Sequence, residues 1–245
     1  MLKYWLTKWS SLLKTEGNFS FKVASITGFK PKNEQLYRLA FTHSSVSVET
    51  KGKKLNNERL EFLGDAVLGS VVSEYLYQKY PHKGEGFLTS MRSKIVSRQH
   101  LNKLALNLKL NELLEYNTTG STTPKSINGD AFEALIGALF LDRGYRCCQR
   151  FVVHTILQNH VNLELLSKQV NSYKSLMLEW AAKNKQKLFF KMVSEKGQSH
   201  AKHFVIALWY NQEQVATGSG PSKKKAEEQA ARDAYNILAL NHGPV

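Results

Sequence analysis

Apolar positions recur at helical spacing through the first two thirds of the chain, and the rhythm changes after about residue 172. Between Asn57 and Tyr80, Leu60, Leu63, Val67 and Val71 share one face of a helix of about 3.6 residues per turn, and Tyr80-Pro81 stops it. The stripe beside that face opens with Glu61 and Asp65 and continues as Leu68 and Val72, so two acids head an otherwise apolar surface. A second helix, about 129–141, carries Asp130 and Glu133 three residues apart and then runs into Ala134-Leu135-Ile136-Gly137-Ala138. Further helices are expected at 2–14 (short and amphipathic), 35–41, 87–97, 99–106 and, as one long element, 145–165. The stretches 46–56, 82–86 (holding Glu85) and 117–129 read as loops.

A polar joint at 167–172 separates this helical part from a different pattern. Tyr173, Leu176, Met177, Trp180 and Ala181 fit an amphipathic helix. Three strand-like stretches follow at 188–194, 203–210 and 214–218, with Asn211-Gln212 suited to a tight turn between the last two. Residues 218–221, Gly-Ser-Gly-Pro, look like a breaker before a final helix over 223–240. The expected architecture is multidomain: an all-α domain over 1–166, with an N-terminal extension of about 1–30, then an α+β domain of order α-β-β-β-α over 171–241.

Composition narrows the class. The net charge of +14 points to a polyanionic partner. The excess is spread out, with 11 Lys+Arg against 6 Asp+Glu in 171–245 and 23 against 14 before it. The two cysteines, Cys147 and Cys148, are adjacent and have no third to pair with, which argues for a reducing compartment. No stretch approaches the roughly 20 apolar residues of a membrane span, and the lysine-broken start is no signal-peptide core, so the expected location is cytoplasmic.

Acids on a mostly buried face are costly to desolvate unless something positive compensates them. Clustered Asp and Glu without Cys or His is the ligand set of a hard divalent cation such as Mg²⁺. Glu61, Asp65, Asp130 and Glu133 form such a site if the two helices pack side by side; neither helix alone supplies it. The bland alternative is a solvated helical face with intrahelical ion pairs. Against it, Asp65 has no cation at i±3 or i±4, and Gly64, Gly69 and Gly137 weaken the helices in a way that close approach of a neighbour would explain.

The run Asn57-Glu-Arg-Leu-Glu-Phe-Leu-Gly-Asp65 resembles the signature of the ribonuclease III family, and two further motifs extend the match in the same order. These are Gly84-Glu85-Gly86-Phe87-Leu88 followed by Met91-Arg92, and Gly129-Asp130-Ala131-Phe132-Glu133-Ala134-Leu135-Ile136-Gly137-Ala138. The resemblance covers about 35–160. It implies a homodimeric, Mg²⁺-dependent endoribonuclease with an all-helical catalytic domain and no small-molecule cofactor. Such an enzyme cuts both strands of double-stranded RNA, leaving 5′-phosphate and 3′-hydroxyl ends with two-nucleotide 3′ overhangs. It implies two Mg²⁺ per active site, replaceable by Mn²⁺, held by Glu61, Asp65, Asp130 and Glu133, with Asp65 and Glu133 catalytic. Glu58 and Glu85 match acids lining the cleft at the dimer interface. His43 lies in a recurring family stretch and reads as structural. Two loops depart from compact members: 46–56 is longer and carries Lys51, Lys53 and Lys54, and the loop before Asp130 has Lys125 as its one basic residue.

The C-terminal pattern resembles a double-stranded RNA-binding domain. Lys223, Lys224 and Lys225 in a first helical turn oppose the helix dipole, a cost that an anionic partner repays. By motif position Lys223 and Lys224 match phosphate-contacting lysines with Lys225 assisting, His200 and Lys202 match a minor-groove loop, and Ser175 matches a polar contact on the first helix. Leu178 stands where such domains often place a glutamine. Trp180, Phe189, Phe204 and Trp209 read mostly as core, because a duplex offers no splayed bases to stack on. By family analogy the substrates are ribosomal and messenger RNA precursors. The rival reading, a catalytically inactive scaffold that binds double-stranded RNA, should show lost acids, and all of them are present.

Overall fold

The computed structural model describes residues 19–50, 53–117, 126–170, 172–197 and 202–242. The expected helix at 2–14 and the residues Lys51, Lys125 and His200 lie outside them. The chain divides into two compact units, Met1–Lys168 and Gln169–Val245.

The first unit is helical. Helix α1 spans 19–27, and then come α2 (Glu34–Ala40), α3 (Glu58–Lys79), α4 (Glu85–Ile95), α5 (Arg98–Asn107) and α6 (Ile127–Arg143). The 46–56 stretch is not all loop: β1 (Val48–Thr50) and β2 (Lys53–Leu55) pair antiparallel within it. Strands of three residues are too short for alternation to stand out against the lysines. Glu85 is not in a loop either, because it opens α4 behind Gly84.

The expected long helix at 145–165 is broken. It begins as α7 (Tyr145–Arg150), widens into a π turn (Phe151–Leu157), closes with α8 (Gln158–His160), and restarts after Val161-Asn162 as α9 (Leu163–Lys168). Phe151-Val-Val-His-Thr-Ile-Leu157 keeps an apolar rhythm and has no Gly or Pro, so nothing local marks the change of winding.

Helix α6 is the axis of the unit, packed by α2, α3, α5 and α7. Its residues from Ala134 to Leu139 are all buried. On α3 the buried set Leu60, Gly64, Val67, Leu68, Val71, Val72 and Leu76 follows the helical period. The crossing of α3 and α6 is closest at two glycines. A Cβ on Gly64 would overlap the Glu133 carbonyl, and one on Gly137 would overlap the Leu60 carbonyl. Gly69 has nothing near its missing side chain, so the close-approach argument fails there. At the other end of α6, Asp142 accepts hydrogen bonds from the backbone N–H groups of Lys32 and Asn33 and from the Tyr37 hydroxyl, pinning the start of α2.

The second unit runs α10 (Tyr173–Lys183), β3 (Leu188–Lys196), β4 (His203–Tyr210), β5 (Glu213–Gly220) and α11 (Lys223–His242). The sheet is antiparallel in the order β3-β4-β5. Asn211 and Gln212 both have positive φ, +48° and +73°, the geometry of a two-residue hairpin turn. The core joins Met177, Leu208, Ala216, Ala230, Ala231, Ala234 and Leu238. Gly218 and Gly220 lie inside β5 rather than breaking the chain, and a Cβ on Gly218 would overlap backbone atoms of Ala226 and Ala230. The glycine lets α11 lie directly on the strand. Phe204 is buried and Trp180 packs on the core, whereas Phe189 is 46% exposed and stacks on Trp209 across the strands at 6.1 Å. Phe189 and Trp209 alternate with the core-packed Phe190 and Leu208, so they occupy the other face of the sheet.

Candidate active site and nucleic-acid interface

The glycine-mediated crossing decides where the acids go. Glu61 and Asp65 precede and follow Gly64 by one turn or less on α3, and Glu133 sits one turn before Gly137 on α6. With the two backbones in contact, the acids of both helices open into one cleft of about 600 Å³. Carboxylate oxygens of Glu61, Asp130 and Glu133 lie within 4.8 Å of one another, and all three residues are half-buried. Asp65 is exposed and lines the same cleft without joining that trio, and Glu58 lines it as well. Glu85 is absent from the lining; its carboxylate accepts from the Thr89 hydroxyl at 2.7 Å on α4. His43 is elsewhere, capping a short turn by accepting from the Ser45 N–H.

Neighbours hold the acids in place. The Ser126 hydroxyl donates to Asp130 Oδ2 at 2.7 Å, and the Gly129 N–H donates to the Asn102 side chain at 2.8 Å, tying the start of α6 to α5. Burial, together with the charges of Asp65, Glu61 and Asp130, pushes the Glu133 carboxyl up to about 8. Asp65 is the strongest of those charges. Burial, then Asp130 and Glu58, raises Glu61. The one opposing charge is Arg98, which lowers both and is the one cation among the described residues lining the cleft. It forms no ion pair with either acid. Sequence reasoning missed its place here, since nothing in the residues around the Ser97 cap links position 98 to position 61. Oxygen-only donors that repel one another, with no cation paired to them, fit a hard divalent ion better than a structural ion-pair network.

In the second unit the basic residues are solvent-facing. Lys223, Lys224 and Lys225 form the first turn of α11, all exposed, with no acid in that turn and no ion pair among the described residues. The Ser222 hydroxyl accepts from the Lys225 N–H and begins the helix, and Lys223 Nζ stands 5.9 Å from the Phe204 ring. Glu228, one turn later, accepts from the Ser172 hydroxyl and the Tyr173 N–H and pairs with none of the three lysines. Ser175 is exposed near the start of α10, with its N–H capped by Ser172. Lys202 is exposed and bridges Glu195 at 2.6 Å, which holds that carboxyl below its usual range. Leu178 is exposed on α10.

The family of the chain follows from its relatives. A ribonuclease-III-like family model matches residues 33–160, and a double-stranded RNA binding motif matches 173–238. Ribonuclease 3 of Zunongwangia profunda is 44% identical over 91% of this chain and 92% of its own length. Ribonuclease 3 of Flavobacterium psychrophilum is 41% identical over 94% of both. Among solved structures, the nuclease domain of ribonuclease III from Campylobacter jejuni superposes with a TM-score of 0.51 at 34% identity, covering 57% of this chain and 96% of that one. The chain therefore belongs to the ribonuclease III family, a family of enzymes, and carries a double-stranded RNA binding motif behind its helical nuclease unit. No helix among the described residues is long and apolar enough to cross a membrane.

Proposed function

We propose that this protein is a double-strand-specific endoribonuclease that hydrolyses both strands of duplex RNA, acting as a homodimer on ribosomal and messenger RNA precursors in the cytoplasm. The observation that carries the reading is the approach of Glu61, Asp130 and Glu133 to within 4.8 Å from two different helices, at the electrostatic cost seen at Glu133. In this reading Glu61, Asp65, Asp130 and Glu133 hold two Mg²⁺ ions per site, and Mn²⁺ substitutes. Ions held by these carboxylates would supply Lewis-acid activation of a water and stabilise charge on the leaving oxygen. The chain's own residues do the rest. Glu133 and Asp65 orient the water by accepting hydrogen bonds from it, Ser126 fixes the rotamer of Asp130, and Arg98 faces a non-bridging phosphate oxygen. Hydrolysis with the 3′ oxygen leaving gives 5′-phosphate and 3′-hydroxyl ends, and offset cuts on the two strands leave two-nucleotide 3′ overhangs.

The dimer reading is supported by an apolar groove of about 890 Å³ lined by Leu36, Leu39, Leu55, Leu60, Leu63 and Leu141, beside a Phe62 that is 82% exposed. So large an exposed ring next to an apolar groove suits an isologous contact with a second copy. The Campylobacter nuclease domain is itself described as flexible in a region involved in dimer formation. Glu58 and Glu85 are assigned to the cleft the two copies complete. Duplex RNA docks on Lys223, Lys224 and Lys225, with Ser175, His200 and Lys202 in the minor groove.

The test is incubation with long duplex RNA in Mg²⁺ and, separately, in EDTA, followed by end analysis of the fragments. Mg²⁺-dependent cutting with 5′-phosphate and 3′-hydroxyl ends is expected. Intact RNA in Mg²⁺ with binding retained would instead favour the inactive scaffold.

A further inference from the structure

A second groove lies on the other side of α3 and plays no part in the reaction described. It is about 380 Å³, with Glu74 and Gln78 of α3 on one wall and Arg146, Gln149, Arg150 and His154 on the other. At about 100° and 1.5 Å per residue, Glu74 stands roughly half a turn around α3 from Asp65 and roughly 14 Å further along it. The groove is therefore separate from the acid cleft.

The winding of the opposite wall is what brings its two arginines and His154 together. Arg146, Arg150 and His154 are four residues apart. In a continuous α-helix each such step overshoots a full turn by about 40°, so the third side chain would stand roughly 80° from the first. Here the second step falls in the π turn of Phe151–Leu157, which holds more residues per turn, so that step falls short of a full turn and brings His154 back toward the azimuth of Arg146. All three groups line one groove as a result.

Glu74, the one acid among the described residues lining the groove, forms no ion pair with either arginine. Glu74 Oε2 accepts from the Tyr145 hydroxyl and Oε1 from the Gln149 amide, each at 2.9 Å. Neither Arg146 nor Arg150 makes an ion pair among the described residues, and Arg150 lies 5.9 Å over the Phe29 ring, which orients the guanidinium without occupying its N–H donors. Val71, Tyr75 and Val153 also line the groove but are buried or half-buried, so the guanidinium and amide donors of its rim are what a partner meets. Such donors suit a nucleic-acid backbone better than a protein surface, whose contact core is depleted of charge.

We propose that this groove is a second phosphate-binding site on the nuclease unit, taking the backbone of RNA that extends beyond the duplex held at the acid cleft. The assignment rests on the RNA-cleaving reading for its substrate class. The experiment uses the full chain with Arg146→Ala and Arg150→Ala combined, in EDTA so that RNA stays intact. Two probes are compared over a range of salt: a short duplex of ~16 bp, the span of one RNA-binding module, and the same duplex carrying long single-stranded flanks. Affinity for the flanked RNA is expected to fall roughly three- to tenfold, with the slope of log K against log salt shallower by roughly 1 to 2, while the short duplex is unaffected. The Arg146→Lys/Arg150→Lys pair should keep the slope, because the charges remain. Unchanged binding of the flanked RNA overturns the proposal, and so does an equal loss on both probes, which would assign the arginines to duplex binding in general. Displacement of a polyglutamate peptide with no change on RNA would give the groove to an acidic protein and also overturn it. Wild-type cleavage of the short duplex in Mg²⁺, measured in parallel, tests the nuclease reading by itself; failure there with a changed slope here removes the reaction and leaves the groove.

Discussion

The acid cleft and the lysine-bearing start of α11 gather charge in opposite ways. At the cleft, like charges are forced together by a helix crossing so close that two positions tolerate no side chain, and burial and repulsion push Glu133 up to about 8. At α11 three lysines stand in solvent on a helix end that disfavours them, each free to move away from the others. The first arrangement depends on backbone geometry and fails as a unit. The second is a sum of nearly independent contacts.

The largest effect that would sharpen this contrast is at Glu133. Glu133→Gln keeps the shape and removes one charged oxygen donor that holds metal and orients the water, so cleavage of duplex RNA should fall by about a thousandfold or more. Binding measured in EDTA should be unchanged. Near-normal turnover would take Glu133 out of the reaction.

Gly64→Ala tests the crossing itself. The added methyl meets the Glu133 backbone, which cannot swing aside like a flexible side chain, so α3 and α6 must separate. A loss of about 3 kcal/mol in stability is expected by analogy with overpacked cores, together with a loss of cleavage. Gly69→Ala, with nothing near the added group, serves as the control and should be neutral or slightly stabilising. Equal melting temperatures for the two variants would break the account of the crossing.

How much of this was legible in the sequence follows the same divide. The bounds of α3 could be read because an unbroken apolar period ends at Tyr80-Pro81, and the acids stood out as charge on a stripe that continues as Leu68 and Val72, both buried. Gly64 and Gly137 were informative because a helix interior disfavours glycine, yet Gly69 shows the inference is not general. Gly218 and Gly220 misled for a related reason: glycine that lets a helix approach a strand looks the same as glycine that ends one. Arg98 and the groove at Arg146 were invisible, since one requires α5 to be placed against α3 and the other a local change of winding without Gly or Pro.

At the α11 end, Lys223→Ala with Lys224→Ala should weaken duplex binding roughly three- to tenfold near physiological salt and make the salt slope shallower by roughly 2, one unit for each phosphate no longer neutralised. Folding should be unaffected, because neither lysine makes an ion pair among the described residues. An unchanged slope would place duplex binding elsewhere.

The smallest effect is on melting temperature. Burial raises the Glu133 carboxyl, with Asp65, Glu61 and Asp130 adding to it, so its folded value lies above that of the unfolded chain. A group shifted that way contributes stability that is complete below its unfolded pKa of about 4.3 and is lost as pH rises through about 8. Metal-free protein should therefore melt lower at pH 8 than at pH 6. Added Mg²⁺ should narrow the difference, and Glu133→Gln should flatten it. A metal-free protein that gains stability over this interval, with the gain still present in Glu133→Gln, would place the pH dependence outside the cleft.

The most direct measurement is anomalous diffraction from crystals grown with Mn²⁺. Peaks are expected between the carboxylates of Glu61, Asp130 and Glu133, with oxygen distances of roughly 2.0–2.3 Å and Asp65 at the edge of the same density. A well-ordered cleft with those side chains in place and no Mn²⁺ between them, at a concentration that supports cleavage, would contradict the assignment of this crossing as the metal-holding centre.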